Sequence, residues 1–266
     1  MTSRERVTAL LAGALAGIAG GFFGVGGGVI LIPLLTGVLR LTQHQAHGTS
    51  LTVIGITALV SLVVYGAHSN VAWITAALIA VTSVLAVRYG ARLASRTPAR
   101  KLTRYFAIFL ALVALRLLWR TPHGVGAAVQ AGAPSVIFDL VLGLAVGLLA
   151  GYMGVGGGIL IVPALTLLLG MQQQLAQGTS LAVILVTAPA GAFEHARHGN
   201  VVGRVVPLLA LGAAAGGSLA SLLVQGLPQA LLARAFALFL LFNAVHTWLR
   251  ATRAGERQAD TAPRRG

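Results

Sequence analysis

Long apolar segments separated by short polar stretches run through this chain from end to end. Charged residues are rare inside these segments, and several segments approach the ~20 residues that a helix needs to cross the apolar core of a bilayer. The pattern therefore predicts an all-α, polytopic membrane protein built as a helical bundle. The apolar segments are Val7–Phe23, Leu51–Gly66, Val71–Val87, Tyr105–Leu115, Val136–Met153, Leu181–Phe193, Val205–Val224 and Leu231–Val245.

Two glycine clusters interrupt this apolar pattern. Residues 24–33 read GVGGGVILIP, and residues 154–163 read GVGGGILIVP. Glycine weakens a helix by roughly 1 kcal/mol relative to alanine and adopts positive φ at little steric cost. The apolar run after each cluster is about ten residues, or roughly 15 Å of helix, which is half a bilayer. We therefore expect one helix to end near Gly24 and a half-helix to begin near Ile30–Pro33, with the proline in its first turn.

The two halves of the chain repeat each other. Sliding the sequence by 130 positions aligns the halves without a gap over about 100 positions, and duplication of this kind is common among secondary transporters. The matched pairs include Gly24 with Gly154, Pro33 with Pro163, Gly48-Thr49-Ser50 with Gly178-Thr179-Ser180, His68 with His198, Asn70-Val71 with Asn200-Val201, Pro98 with Pro228 and Phe106 with Phe236. We predict a first repeat over residues 1–120, a connecting loop over 121–134, a second repeat over 135–250 and a basic, flexible tail over 251–266.

The distribution of basic residues favours an inverted second repeat. Because Lys and Arg collect in cytoplasmic loops, the termini and the basic run Arg88–Arg104 are placed inside. An even number of crossings must then separate the N-terminus from this run, which requires Ile30–Leu39 to return through the membrane as well. Each half then has five segments, and the second half is inverted. This topology leaves Arg116, Arg120 and His123 outside, which counts against it.

Composition and charge support the membrane class. The chain is 57% hydrophobic and only 9% charged, whereas a soluble domain carries about a quarter charged residues. Its net charge of +14 raises the question of nucleic-acid binding, but the basic residues flank apolar segments as the positive-inside rule predicts, so no nucleic-acid partner is expected. The absence of cysteine excludes disulfides and thiolate chemistry. The N-terminus resembles a signal peptide, yet Val136–Met153 is its counterpart in the second half, so we interpret it as a retained helix.

The glycine clusters are the predicted substrate site. A half-helix N-terminus offers unpaired N–H groups and the positive end of the helix dipole, equivalent to about half an elementary charge. Irregular backbone occurs at membrane depth only where protein or a water-filled cavity shields it. Two such ends near the midplane would bind an anion without a buried arginine. The alternative is that the glycines only permit close helix packing; four glycines in five residues favour the site. A dinucleotide-binding G-x-G-x-x-G is excluded because Val29 stands at its last position.

A second set of polar residues follows each glycine cluster. The stretches His47-Gly48-Thr49-Ser50 and Gln177-Gly178-Thr179-Ser180 are predicted to open the next long helices. Their hydroxyls would cap free backbone N–H groups, bind a substrate oxygen at the same helix end, or do both. The predicted substrate-binding residues are Gly24, Gly26, Gly27, Gly28, Pro33, Thr49, Ser50, Gly154, Gly156, Gly157, Gly158, Pro163, Thr179 and Ser180.

Only two acids, Asp139 and Glu194, lie in the long middle of the chain. Glu194 ends an apolar segment in the stretch EHARH, and ionisable residues in membrane segments are functional by default. This stretch is a candidate for proton transfer or gating, although we favour an interfacial salt bridge from Glu194 to Arg197 or Arg204. The histidine spacing does not fit a metal site, and no cofactor is expected. The candidate proton or gating residues are His47, Glu194, His195 and His198.

These motifs resemble one known family. The doubled GxGGGxxxxP, the downstream GTS, the SNV or GNV before the next helix and the GARLAS…P…F segment are similar to the sulfite exporter TauE/SafE family, also called the 4-toluene sulfonate uptake permease family. The resemblance covers roughly Leu10–Leu249. It implies an inner-membrane transporter of sulfur-containing anions such as sulfite, sulfonates and sulfoacetate, with substrate contacts from the glycine motifs and the GTS residues. Many members carry an acid directly after the NV, where this sequence has Ala72 and Val202.

Three functions remain open on the sequence. We favour a multi-pass transporter that exports small sulfur-containing anions, because a membrane potential drives an anion outward with about 2.3 kcal/mol per charge at 100 mV. An intramembrane hydrolase would pair Ser50 or Ser180 with a histidine, but it gives no reason to duplicate the glycine motif, so no enzyme is expected. The third function is a non-transporting membrane subunit. The expected partners are a small anion and the lipid bilayer, with a homo-oligomer left open.

Overall fold

A computed structural model describes residues 3–94, 99–119, 133–153 and 157–260, and every element in these ranges is an α-helix. Five of these helices are long and apolar enough to cross a membrane: Ser3–Phe23, Gln43–Ala67, Gln173–Arg197, Val206–Gln225 and Gln229–Leu249. The prediction of an all-α membrane bundle is therefore confirmed. In order, the helices are α1 (Ser3–Phe23), α2 (Gly28–Gly37), α3 (Gln43–Ala67), α4 (Trp73–Ala94), α5 (Ala99–Trp119), α6 (Ala133–Met153), α7 (Gly158–Leu168), α8 (Gln173–Arg197), α9 (Val206–Gln225) and α10 (Gln229–Asp260).

The chain breaks between α1 and α2, where the first glycine cluster lies. Helix α2 is only ten residues long, and α7, after the second cluster, is only eleven. Both short helices begin earlier than predicted, at Gly28 and Gly158 and not near the isoleucine–proline stretch. Pro33 consequently lies in the second turn of α2, where its missing N–H leaves the carbonyl four residues earlier without its helical partner. The predicted placement of the proline in the first turn was wrong.

Helix α3 also begins earlier than the sequence suggested. Thr42 is its N-cap, with a capping box in which the Thr42 hydroxyl accepts from the Gln45 amide at 3.3 Å and the Gln45 side chain accepts from the Thr42 amide at 3.2 Å. Helix α8 begins at Gln173. The Gly-Thr-Ser stretches therefore lie in the second turn of these helices, and the prediction that they open them was wrong.

Small residues let two pairs of helices approach closely. Helix α1 packs along α9, and helix α4 packs along α6. A Cβ added to Gly17 would overlap the Ala213 carbonyl oxygen, and one added to Gly147 would overlap the Ser83 carbonyl oxygen. In a bilayer, where apolar burial drives helix association little, this backbone proximity supplies the packing. Large apolar side chains cover the outer surface of the bundle, among them Ile74, which is 72% exposed.

Helices α3 and α8 cross at the centre of the bundle. Gly48, near the start of α3, lies against Asn200 and the Cβ of His195, at the end of α8. Gly178, near the start of α8, lies against Asn70 and the Cβ of Tyr65, at the end of α3. The two helices are thus antiparallel. Their bounds are also 130 positions apart, so they are equivalent in the two halves of the sequence. Antiparallel packing of equivalent helices is what an inverted repeat requires, and it favours that prediction. The predicted domain boundaries stay predictions.

Candidate functional site

Each half-helix begins at a glycine with a left-handed backbone. Gly27, the N-cap of α2, has a φ of 82°, and Gly157, the N-cap of α7, has a φ of 75°. Neither cap has a side chain that bonds the first amides of its helix. Any other residue at these caps would be strained, because side chains with a Cβ rarely adopt positive φ. The local sequence thus starts both helices with bare N-termini.

The first break exposes a run of backbone donors to the protein interior. The amides of Ile30 and Leu31 both donate to the Gly27 carbonyl, at 3.2 and 3.0 Å. Within the described part of the chain, the amides from Val25 to Val29 donate to no other backbone group. Residues 24–28 are buried. Unpaired buried amides are rare in proteins, and here they coincide with the positive end of the α2 dipole.

The N-terminus of α7 meets the first glycine break, and we call this contact the junction. A Cβ placed on Gly158 would lie 2.8 Å from Val25 Cα, and one placed on Gly26 would lie 2.7 Å from a methyl group of Ile54. Ile184, the equivalent of Ile54 in the second half, also packs against Gly158. The N-terminus of α7 therefore abuts the first break between the central turns of α3 and α8. Close packing and an anion site are combined here, so the two interpretations of the glycines are compatible.

Two serines lie one turn before the isoleucines of this junction, Ser50 before Ile54 and Ser180 before Ile184. Ser50 and Ser180 are fully buried, and neither Oγ atom has a hydrogen-bond partner. Ser50 Oγ would lie 3.5 Å from a Cβ on Gly28, the first residue of α2. An unpaired buried hydroxyl costs about 1–3 kcal/mol. Because neither serine bonds a histidine, the structure gives no observation in favour of a hydrolase.

The two threonines of the Gly-Thr-Ser stretches join the halves of the protein. The Thr49 hydroxyl accepts from the Val202 amide at 3.0 Å, and the Thr179 hydroxyl accepts from the Ala72 amide at 3.0 Å. Each threonine thus satisfies a backbone donor just before a helix of the opposite half. The predicted cap at the start of their own helix is replaced by this long-range bond, whereas substrate contact by the threonines stays a prediction.

We expect Thr49→Val to destabilise the protein, because the Val202 amide would lose its acceptor. A buried donor left unpaired costs about 1–3 kcal/mol, so thermal melting in detergent should occur at a lower temperature. Thr52→Val is the matched control, since the Thr52 hydroxyl only bonds the Gly48 carbonyl of its own helix at 3.1 Å. Equal melting temperatures for the two variants would contradict the joining role of Thr49.

Gln177 and Tyr65 are site residues that sequence reasoning missed. Both are fully buried, and the Tyr65 hydroxyl lies 2.9 Å from the Gly21 carbonyl oxygen and 3.0 Å from Gln177 Oε1. Gln177 Nε2 has no partner, and the Gln177 backbone packs against Gly24, with 2.6 Å between its Cα and a Cβ placed there. The one available signal was the position of Gln177, 130 residues after the candidate His47.

The acidic and basic candidates gather at the opposite end of α3 and α8. Glu194 Oε1 lies 3.9 Å from His198 Nδ1, and both side chains are exposed. The Arg197 guanidinium instead lies over the Phe193 ring, 5.9 Å from its centroid. Glu194, Arg197 and Arg204 are all described, and no ion pair joins Glu194 to either arginine. The predicted salt bridge from Glu194 to one of these arginines was therefore wrong. His195 Cβ, next to Gly48, brings His195 beside the helix turn that carries His47.

Of the remaining predicted site residues, the two prolines lie inside the short helices, and two glycines lie outside the described residues. Pro33 and Pro163 lie within α2 and α7, each followed by a threonine whose hydroxyl bonds a carbonyl of the preceding turn, for example Thr36 to Ile32 at 3.0 Å. Gly154 and Gly156 lie outside the described residues.

Comparison with known proteins agrees with this architecture. The sequence model described as sulfite exporter TauE/SafE matches residues 2–117 and 139–266. A probable membrane transporter protein of Xylella fastidiosa is 28% identical over 94% of this chain and 98% of its own length. The probable membrane transporter protein YunE of Bacillus subtilis is 29% identical over 80% of this chain and 86% of its own length. No solved structure matches the chain.

Proposed function

This chain belongs to the sulfite exporter TauE/SafE family of membrane transporters, and from that premise we propose that it exports small sulfur-containing anions across the inner membrane. The substrates would be sulfite-like oxyanions or organosulfonates. One observation carries this proposal: the buried amides from Val25 to Gly28, which donate to no backbone group in the described part of the chain and lie where the N-terminus of α7 meets the first break.

The chemistry of the junction favours an anion over a cation. Among the described residues around it, the groups without partners are backbone N–H groups, the hydroxyls of Ser50 and Ser180, and Gln177 Nε2. Amides can only donate, and hydroxyls can donate, so the set complements the several acceptor oxygens of a sulfite or sulfonate group. No arginine or lysine stands against the breaks among the described contacts. Binding without a fixed positive charge suits a transporter, which must also release its substrate.

Substrate binding requires the junction to open. Ile54 and Ile184 fill the space around the breaks, with their methyl groups close to Gly26, Gly28 and Gly158. An anion would displace these side chains as α3 and α8 move apart. Such movement of one repeat against the other is the usual form of alternating access.

The direction follows from the membrane potential. An anion leaving a negative-inside cell gains about 2.3 kcal/mol per charge for each 100 mV. Outward transport therefore needs no coupling ion. Glu194, the acid among the candidate gating residues, is matched by Val64 in the first half, so it has no duplicate.

The test is flux through purified protein in liposomes. We expect radiolabelled sulfite and an alkyl sulfonate to move down an electrical gradient, with no requirement for a proton or sodium gradient, and excess unlabelled sulfite to compete. Protein-free liposomes are the control. Strict dependence on a proton or sodium gradient would contradict the outward, uncoupled direction, and absence of flux for every anion would contradict transport itself.

A further inference from the structure

The two ends of the α3–α8 pair carry equivalent residues with different chemistry. Tyr65 and Gln177 meet at one end, and their counterparts 130 positions away, His195 and His47, occupy the other. About 17 residues of helix, or roughly 25 Å, separate the ends, which is most of a bilayer core. The junction of the glycine breaks lies between them, against Ile54 and Ile184. Any path through this junction therefore passes one pair on each side.

The tyrosine end is closed, and its two buried residues, Tyr65 and Gln177, carry no charge at neutral pH. Tyr65 and Gln177 are fully buried and contact each other at 3.0 Å. Asn70 donates to Gln225 at 2.6 Å, and Gln174 donates to the Leu227 carbonyl at 3.1 Å, which ties the loops on this side together. His68, exposed at the end of α3, bonds the Val64 carbonyl of its own helix through Nδ1 at 2.8 Å. It does not take part in the buried pair.

The histidine end is partly exposed and carries titratable side chains. His47 and His195 are half-buried, and His44 and His198 are exposed. The groups that interact electrostatically with His195 are His44, His47, His198 and Glu194, which come from both helices. His47 Nε2 lies 3.0 Å from Gln43 Nε2. Several imidazoles facing one carboxylate give this end a positive charge when they are protonated.

We propose that these two pairs are the gates on either side of the anion site, and that transport therefore senses pH at the histidine face only. This inference rests on the proposed anion transport. Protonation of the histidine pair raises the local concentration of an anion at that mouth. The Tyr65–Gln177 pair opens by breaking neutral hydrogen bonds and gives no such response. The conformation described here is the one closed at the tyrosine gate.

The experiment measures flux while the pH is changed on one face at a time. Right-side-out and everted vesicles would be assayed with methanesulfonate, whose charge does not change between about pH 5.5 and pH 7.5. This range covers the pH at which imidazole side chains change charge, so only the protein responds to the change. We expect acidification of the face at the histidine end to raise flux several-fold. Acidification of the face at the tyrosine end should change flux less than about twofold.

The second half of the protein supplies the matched variants. His47→Gln with His195→Tyr gives the histidine end the same residue pair as the other end and leaves the exposed His44, Glu194 and His198 in place. It should reduce the pH response to less than about twofold on both faces. Gln177→His should create a response on the formerly insensitive face. The measured quantity is the ratio of the fluxes at the two pH values. A variant that changes the absolute flux can therefore still be compared with the wild type.

The outcomes separate this inference from the proposed function. Wild-type flux with equal pH responses on both faces, or a pH response that survives in the double variant, overturns the gate assignment and leaves transport intact. Absence of methanesulfonate and sulfite flux at constant pH counts against transport, independently of the gates.

Discussion

Gly158→Ala is expected to reduce sulfite flux at least tenfold in a protein that still folds. Gly158 is the first residue of α7, and its φ lies outside the positive range, so alanine fits its backbone. The added methyl group would instead lie 2.8 Å from Val25 Cα and 2.7 Å from a methyl group of Ile184. The backbone of the first break must shift, and this moves the unpaired amides that we assign to the substrate. Overpacking of this kind costs about 1–3 kcal/mol of stability.

Flux and thermal melting of the same preparation check this expectation. Gly37→Ala is the matched control, because nothing lies within 4 Å of its Cβ position at the end of α2. The control should transport like the wild type. If Gly158→Ala loses stability and keeps its flux, the junction serves packing alone and the anion site lies elsewhere.

The sequence predicts the helix breaks because their cause is local. Four glycines in five residues, followed by a short apolar run, suffice to interrupt a helix at Gly24 and to start another nearby. The sequence predicts the start of α2 too late, because proline favours a first helical turn. A left-handed Gly27 starts α2 at Gly28 and leaves the proline in the second turn. The preference of a proline alone cannot fix which turn it occupies.

The partners of the polar residues could not be predicted, because they depend on distant parts of the chain. Thr49 bonds the amide of Val202, 153 residues away, and Tyr65 contacts Gln177 across 112 residues. A threonine next to a glycine has the same local pattern whether it caps its own helix or joins two halves. For Glu194 the sequence offered nearby arginines, but its orientation on the helix brings it to His198 at the next turn.

The repeat provides a means to recognise such residues from sequence. Positions that match across 130 residues, such as Thr49 and Thr179, make the same contact twice. Positions that differ, such as His47 and Gln177, mark where the two halves have different chemistry. Comparing the halves position by position therefore separates residues that both halves need for packing from residues that distinguish the two ends.

Ser50→Ala and Ser180→Ala are expected to stabilise the substrate-free protein and to weaken its binding of sulfite. Each substitution removes a fully buried hydroxyl that has no partner, and an unpaired buried group of this kind costs about 1–3 kcal/mol. The same hydroxyl, if it donates to a bound anion, contributes about 1.5–3 kcal/mol to binding. The sulfite concentration that gives half-maximal flux should therefore rise at least about tenfold in each variant. The melting temperature without substrate should stay the same or rise.

Ser83→Ala separates the two effects, because Ser83 is a buried serine without a hydrogen-bond partner on the α4–α6 interface, away from the breaks. It should share the gain in stability and bind sulfite like the wild type. Removing a structural hydrogen bond lowers stability, as expected for Thr49→Val, whereas removing a hydroxyl held for substrate raises it. If Ser50→Ala and Ser180→Ala melt at lower temperatures and keep wild-type affinity, both hydroxyls are structural, and the donors left at the junction are the backbone amides and Gln177 Nε2.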